Sequence, residues 1–492
     1  MVSFNELADW IKTHRLILIL LLIILTGGFL RIFDLGAESI WLDEAYSIRA
    51  AEQSLSSVIG GAIDTENNPP LYFIILHLWM LLFGSSEIAI RFPSAIFGII
   101  SIFLIYKIGC HLFNQKIGII SGFLLSISTF HIMYSQDARP YSLFMFLTLL
   151  SFYFFIQVLK ANKGWYFLGY LLANILLCYT QLFGFFVILS QIVYFSMFWK
   201  KYKQKIFKFA GIQVASLLAF IPLIVLAIPR ISHIAGGGGS SISWIPEPSF
   251  LSIGTTFYLY AGGIALFVPL LVLFFIGLLP IRYRRIKGRL TFHFESVGDI
   301  LLLLMWLAFP IFLPFILSMI IAPLYVPRYT ISALPACYLL AARGIGYFKD
   351  MKVTYILVIG ITLLSLIGLQ LYYSQPVKEQ WREAVHFIEF RAQPDDAIVI
   401  CADYTQEPFD YYYEGDLERF GIGRDVTDTQ KIDAVVDNAT AGKERLWLVL
   451  SNQGVAITEE HLLNRFGSES VIAENELHEV KVYLFDLHVE PP

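Results

Sequence analysis

Eleven stretches of mostly apolar residues, each near the length of a bilayer-spanning helix, restrict what this chain folds into. They run over 16–33, 88–110, 116–134, 141–159, 165–181, 184–199, 207–228, 262–280, 299–322, 330–347 and 353–373. About 20 such residues cross a hydrocarbon core, and inside it the backbone satisfies its own hydrogen bonds only as helix or closed barrel. The pattern predicts a mainly α, polytopic membrane protein with about 11 transmembrane helices. Composition agrees: 57% of the 492 residues are hydrophobic and 15% charged, where soluble domains carry about a quarter charged residues. A soluble globular fold, a disordered chain and a nucleic-acid binder are excluded together. A twelfth apolar stretch, 71–83, is shorter; it starts behind Asn67-Asn68-Pro69-Pro70 and stops at Gly84-Ser85-Ser86-Glu87, as a juxtamembrane or half-inserted helix would.

Basic residues set the orientation. With the N-terminus inside and eleven crossings, the inner connections receive Lys12 and Arg15, Lys107 and Lys116, Lys160 and Lys163, the runs at 200–205 and 282–287, and Lys349 and Lys352. That is the excess of Lys and Arg expected of cytoplasmic loops. The first apolar stretch reads as a retained signal anchor, since no small-residue cleavage site follows it directly. An odd number of crossings leaves the C-terminus outside, consistent with a change of character near Pro376. Residues 1–375 hold 25 Lys and Arg against 15 Asp and Glu; residues 376–492 hold 10 against 24. Helical and strand patterns alternate in that acidic segment: a helix over 380–390, strands over 397–401 and 446–451, a helix over 458–466 and a strand over 480–487, which predicts a small extracytoplasmic α/β domain. The four cysteines show neither disulfide nor zinc spacing.

What remains charged on the outer side is a short set of residues. Asp43 and Glu44, in Trp41-Leu42-Asp43-Glu44-Ala45-Tyr46, open the first outer loop. Asp137 and Arg139, in Tyr134-Ser135-Gln136-Asp137-Ala138-Arg139-Pro140-Tyr141, sit between two spans with almost no loop, so they lie at membrane level. Arg139 either neutralises Asp137 locally or faces a ligand. Arg328 and Tyr329 occupy another abrupt outer turn, and a guanidinium beside a phenol is a fork suited to phosphate; headgroup anchoring is the plainer role for that arginine. Carboxylates able to take a proton, next to arginines able to hold phosphate, suggest transfer chemistry on a lipid-linked phosphate.

These residues resemble the family C membrane glycosyltransferases, in particular glycosyltransferase family 39, with its protein O-mannosyltransferase and lipid A aminoarabinose transferase branch. The resemblance rests on Asp43-Glu44, on Asn68-Pro69-Pro70-Leu71-Tyr72 leading to Arg91-Phe92-Pro93, on Tyr134 to Arg139, on Pro327-Arg328-Tyr329 with Leu334-Pro335, and on Gln380-Trp381-Arg382-Glu383-Ala384. It implies a GT-C fold and an inverting transferase that moves a monosaccharide from a polyprenyl-phosphate donor to an acceptor hydroxyl of a protein, lipid or glycan, outside a bacterial plasma membrane. It also implies Asp43 as general base, Glu44 and Asp137 as orienting acids, and Arg328 with Tyr329 as phosphate ligands. Two departures stand out. Tyr46 replaces an arginine expected three residues after the base, and Asn67-Asn68 replace a Glu-Lys pair before the double proline. Two cationic contacts and one metal ligand are thereby missing; Arg49, Arg91 and Arg139 are candidate substitutes. No cofactor is implied, and a divalent metal is not supported by any motif, His233 being an isolated candidate ligand.

The outer loop 34–87 is expected to carry juxtamembrane helices. The loop 229–261 holds Gly236 to Gly239 followed by Trp244-Ile245-Pro246, the composition of either a hinged flap or a plain connector. Tyr411-Tyr412-Tyr413 and Glu407 offer either a stacking surface for an acceptor or a packed aromatic face. From a different class, a flippase or carrier of lipid-linked sugar also combines many spans with Asp and Arg, though carriers place them near the bilayer midplane in repeated halves. A non-enzymatic scaffold accounts for the architecture but not for the charged set.

Overall fold

A computed structural model describes residues 4–61, 68–235, 244–286, 289–294, 297–423, 426, 428–451 and 455–489. The chain forms two compact units. The larger takes in Met1–Phe33, Ala50–Ser85 and Ala89–Leu371, the smaller Asp34–Arg49, Ser86–Ile88 and Tyr372–Pro492.

In the larger unit six described helices are long and apolar enough to cross a bilayer: His14–Ile32, Glu87–Leu112, Tyr141–Lys160, Lys203–Val225, Val297–Ile320 and Met351–Ser374. Two bent pairs raise the number to as many as eight. The other expected crossings meet shorter helices, Gly164–Thr180, Gly184–Met197 and Leu334–Tyr347. Leu71–Phe83 is a 13-residue helix ended by Gly84 at φ 80°, a backbone conformation that favours glycine. Leucines and isoleucines such as Leu22, Leu82 and Ile320 stay exposed on the outside of this unit, which suits a lipid solvent.

The window 116–134 is not a straight span. It breaks after Ser126 and resumes at Thr129 with a 62° bend. A break inside hydrocarbon frees carbonyls, and here Arg31, fully buried, donates to Leu125 O at 2.9 Å and Ser126 O at 3.1 Å. Ser128 caps the new helix by accepting from the His131 N–H. The second bent pair, Phe250–Ala261 with Ile264–Leu278, turns through 98° at Gly262-Gly263. Between Ile264–Leu278 and Leu334–Tyr347 the backbones meet at Gly277 and Gly344, where a Cβ on either would overlap the other helix's carbonyl oxygen. Arg343, also buried, donates to Leu279 O at 2.9 Å, at the end of the first of these helices. Residues 282–286 of the basic run enter a hairpin of β1 (Ile281–Ile286) and β2 (Arg289–Phe294), which the sequence pattern did not predict.

The smaller unit is built on a five-stranded sheet of β3 (Asp396–Cys401), β4 (Arg419–Ile422), β5 (Arg445–Ser451), β6 (Val471–Leu477) and β7 (Val480–Asp486), in the order β4-β3-β5-β7-β6. The three strands β4, β3 and β5 are parallel, and β7 and β6 close the sheet antiparallel. Each face is covered. Trp381–Glu389 and Gln406–Tyr412 bury Trp381, Val385, Ile388 and Phe409 against Ile398, Ile400 and Trp447. Thr429–Thr440 and Ala456–Phe466 bury Ile432, Val436 and Leu462 against Val399, Leu448 and Leu450. Asp396 knits β3 to β5: its buried carboxylate accepts from Arg445 at 2.7 Å and from Trp447 Nε1 at 2.8 Å.

Candidate active site

The candidate residues divide between the two units. In the larger, Asp137 and Arg139 lie buried in the turn between Thr129–Ser135 and Tyr141–Lys160. Pro140 sits just ahead of the helix, where its missing N–H removes no intrahelical hydrogen bond. Around it the polar groups are committed: Gln136 Nε2 donates to Phe33 O at 2.6 Å, and Ser94 Oγ donates to Arg139 O at 3.4 Å. Arg91, one turn before Ser94 on Glu87–Leu112, is buried, as is Asn68 ahead of Leu71–Phe83.

Arg328 and Tyr329 stand half-buried at the start of a 3-10 helix, Pro327–Ala333. That helix is anchored from below by Tyr260, whose hydroxyl lies 2.7 Å from Thr330 Oγ1, and by Trp306 Nε1, which donates to Ser332 O at 2.7 Å. The Arg328 guanidinium carbon sits 5.1 Å from the centre of the Trp244 ring and 5.7 Å from that of Tyr329, both cation–π contacts. Tyr329 stacks on Tyr141 with centroids 6.1 Å apart, and Tyr141 meets Tyr134 edge-on at 5.0 Å. The Asp137 turn and the Arg328 turn, 191 residues apart in sequence, are therefore joined through one row of aromatic rings.

In the smaller unit Asp43 and Glu44 occupy the first turn of Leu42–Glu52, where a carboxylate is favoured by the helix dipole. The Glu44 side chain is fully buried and its Oε1 lies 3.0 Å from Lys378 Nζ. Asp43 and Tyr46 are partly buried. Arg49 is ion-paired with Glu407. Burial pushes the neighbouring Glu379 carboxyl above its ordinary 4.5; N–H groups of Trp381 and Leu42 pull it back, while Asp43 and Glu479 push it further up. The rest of the segment 36–49 is tied to the C-terminal domain. Ser39 Oγ donates to Glu383 Oε2 at 2.7 Å, the Ile40 N–H donates to Tyr412 Oη at 2.8 Å, and the Lys378 N–H donates to Glu38 Oε2 at 3.1 Å. Glu87, from Ser86–Ile88, accepts from Tyr412 Oη and lies 3.3 Å from Arg382 Nε. The tyrosine run is thus a packed and hydrogen-bonded face.

Some expectations fall outside the described residues: Asn67, the Gly236 to Gly239 run and the side chain of His233. Among the described residues no three His, Cys, Asp or Glu side chains come together as a metal site. Sequence reasoning missed Tyr141, Lys378 and Glu379. Lys378-Glu379 stands just ahead of the Gln380-Trp381-Arg382 motif, which was the one available signal.

The chain is an integral membrane protein with the GT-C fold, the fold of a class of membrane glycosyltransferases. Residues 67–228, which hold Asn67-Asn68, Arg91, Asp137 and Arg139, match the family model for dolichyl-phosphate-mannose-protein mannosyltransferase. The chain superimposes on apo ArnT from Cupriavidus metallidurans with a TM-score of 0.64 at 14% identity, covering 96% of this chain and 98% of that one. The same enzyme bound to undecaprenyl phosphate gives a TM-score of 0.60 at 12% identity, covering 97% and 99%. An uncharacterised protein of Aquifex aeolicus is 25% identical over 367 residues, 72% of this chain and 70% of that one.

Proposed function

We propose that this chain is an inverting glycosyltransferase that moves a monosaccharide from a polyprenyl-phosphate donor to an acceptor hydroxyl on the outer face of the membrane, with its N-terminus inside and its C-terminal domain outside. The observation that carries the reading is the joining of the Asp137-Arg139 and Arg328-Tyr329 turns through Tyr141 and Tyr329. It gathers buried acid, guanidinium and phenol into one place within a fold that a solved relative uses while holding undecaprenyl phosphate. In this reading Arg328 and Tyr329 hold the donor phosphate, with Arg91 and Arg139 as further cations and Asn67 and Asn68 as polar neighbours. Asp43 takes the proton of the acceptor hydroxyl as its oxygen attacks the anomeric carbon from the face opposite the phosphate. The bond from that carbon to the phosphate oxygen breaks, polyprenyl phosphate leaves as an anion, and the configuration inverts. General-base help of this kind is worth about 10²- to 10⁴-fold. Glu44 and Asp137 orient acceptor and sugar. The acceptor is a protein, lipid or glycan hydroxyl. The same fold likeness weighs against the flippase.

The experiment is release of polyprenyl phosphate by purified protein from a panel of polyprenyl-phosphate monosaccharides with a crude membrane acceptor fraction. Asp43→Asn is expected to abolish release and keep donor binding; wild-type turnover in that variant refutes the base. Arg328→Ala removes charge-assisted bonds worth about 1.5–3 kcal/mol, about 10- to 150-fold in donor affinity, and unchanged affinity removes Arg328 from the phosphate site.

A further inference from the structure

We propose, resting on the reading of Asp43 as base, that Lys378 and Glu379 at the head of the C-terminal domain are positioning residues that clamp the helix start carrying Asp43 and Glu44. The sequence offers no reason to connect them, since the two pairs lie at opposite ends of the chain. The geometry does. A carboxylate with no exposed surface is costly unless a cation meets it, and Lys378 Nζ, itself with a side chain only 10% exposed, stands 3.0 Å from Glu44 Oε1. One residue on, Glu379 accepts from the backbone N–H of Leu42, the first residue of Leu42–Glu52. The first four N–H groups of a helix have no partner within it, so Glu379 acts as a cap supplied from a remote segment. Its other bond, from Trp381 Nε1 at 2.6 Å, fixes the carboxylate to a buried indole at the root of the domain.

The grip is reciprocal. Glu38, from the first outer loop, accepts from the backbone N–H groups of Val377 and Lys378 at 3.3 and 3.1 Å, so each segment pins the other. Arg382 N donates to Ser39 Oγ at 3.3 Å, and Ser39 in turn donates to Glu383. Ser47 Oγ donates to Asp43 O at 3.1 Å, tying the turn that bears Asp43 to the body of its own helix. Lys378 touches Glu44 and Glu379 touches the Leu42 N–H at the helix start; neither carries a proton in the reaction, and together they set where Asp43 is held. A base displaced by about 1 Å loses on the order of 10²-fold in rate, so the clamp is read in turnover and not in donor affinity.

The test uses the full-length protein in detergent. Lys378→Met is expected to lower kcat about 10- to 100-fold with the donor KM unchanged, and Lys378→Arg, which keeps the cation, is expected to restore most of the rate. Wild-type kcat in a folded Lys378→Met protein, or an equal loss in Lys378→Arg, overturns the clamp. A thermal-unfolding cycle needs no turnover. Lys378→Met alone leaves Glu44 buried without this cation and lowers the unfolding temperature; adding Glu44→Gln recovers part of the loss. Strictly additive losses in the double variant overturn the ion pair. If the wild type releases polyprenyl phosphate from no donor, the transferase reading falls, and the cycle alone decides whether the clamp exists.

Discussion

Tyr412→Phe removes a single oxygen and tests whether the C-terminal domain holds the segment 36–49. That oxygen accepts from the Ile40 N–H at 2.8 Å and donates to Glu87 Oε1 at 3.1 Å. Arg382 lies against the same groups, 3.3 Å from Glu87 and 5.9 Å from the Tyr412 ring. Glu87 therefore keeps a cation after the substitution, and its loss is small. The Ile40 N–H keeps nothing from Tyr412, and an orphaned buried donor costs about 1–3 kcal/mol. Taking about 2–3 kcal/mol for both bonds, the ratio of docked to undocked loop falls about 30- to 150-fold. Hydrogen exchange at the Ile40 amide reads this ratio directly, because exchange proceeds through local opening. The expected result is faster exchange by that factor at Ile40 and its neighbours, with β3 and β5 unaffected. If Ile40 exchanges at the wild-type rate while the protein stays folded, the hydroxyl does not hold the loop, and docking of residues 36–49 through Tyr412 is refuted.

Gly344→Ala places a methyl against the Leu273 carbonyl oxygen and is expected to cost about 1–3 kcal/mol by forcing two helices apart; a lower unfolding temperature in detergent checks it, and an unchanged one shows that the crossing gives way freely. Asp433→Asn tests a surface cluster of the smaller unit. Burial raises the Asp433 carboxyl, but hydrogen bonds from His461 and Arg465 outweigh it and hold the group below its ordinary 3.8. A depressed acid stabilises the fold above its unfolded value and loses that contribution as pH falls through the folded one. The wild type is therefore expected to lose stability more steeply than Asp433→Asn as pH drops below about 4, and parallel curves refute the pairing.

Much of the architecture was legible. A bilayer imposes one length and one hydrogen-bonding solution on each span, so the apolar windows announced helices at nearly every place where the structure has them. The C-terminal strands with continuous apolar runs, β3 and β5, were readable for the same reason that they are buried on both faces. β4, only four residues long, and β6, with its alternating burial, carried no such run and were missed, as was the helix Thr429–Thr440.

The sequence by itself determined that the chain lives in a membrane, that an acidic α/β domain follows the spans, and that Asp43, Asp137 and Arg328 stand in turns between apolar stretches, because composition, hydropathic length and local motifs are properties of neighbouring residues. Where those turns meet other segments was decided only by tertiary structure. The break at Ile127 is sustained by Arg31, nearly a hundred residues away; Ile40 finds its partner 372 residues on, in Tyr412; Arg49, a candidate phosphate ligand by sequence, is drawn to Glu407; and the cation that meets Glu44 comes from Lys378. Buried charge and freed backbone groups must be satisfied by whatever group the fold brings within hydrogen-bond reach, and no local pattern records which group that is.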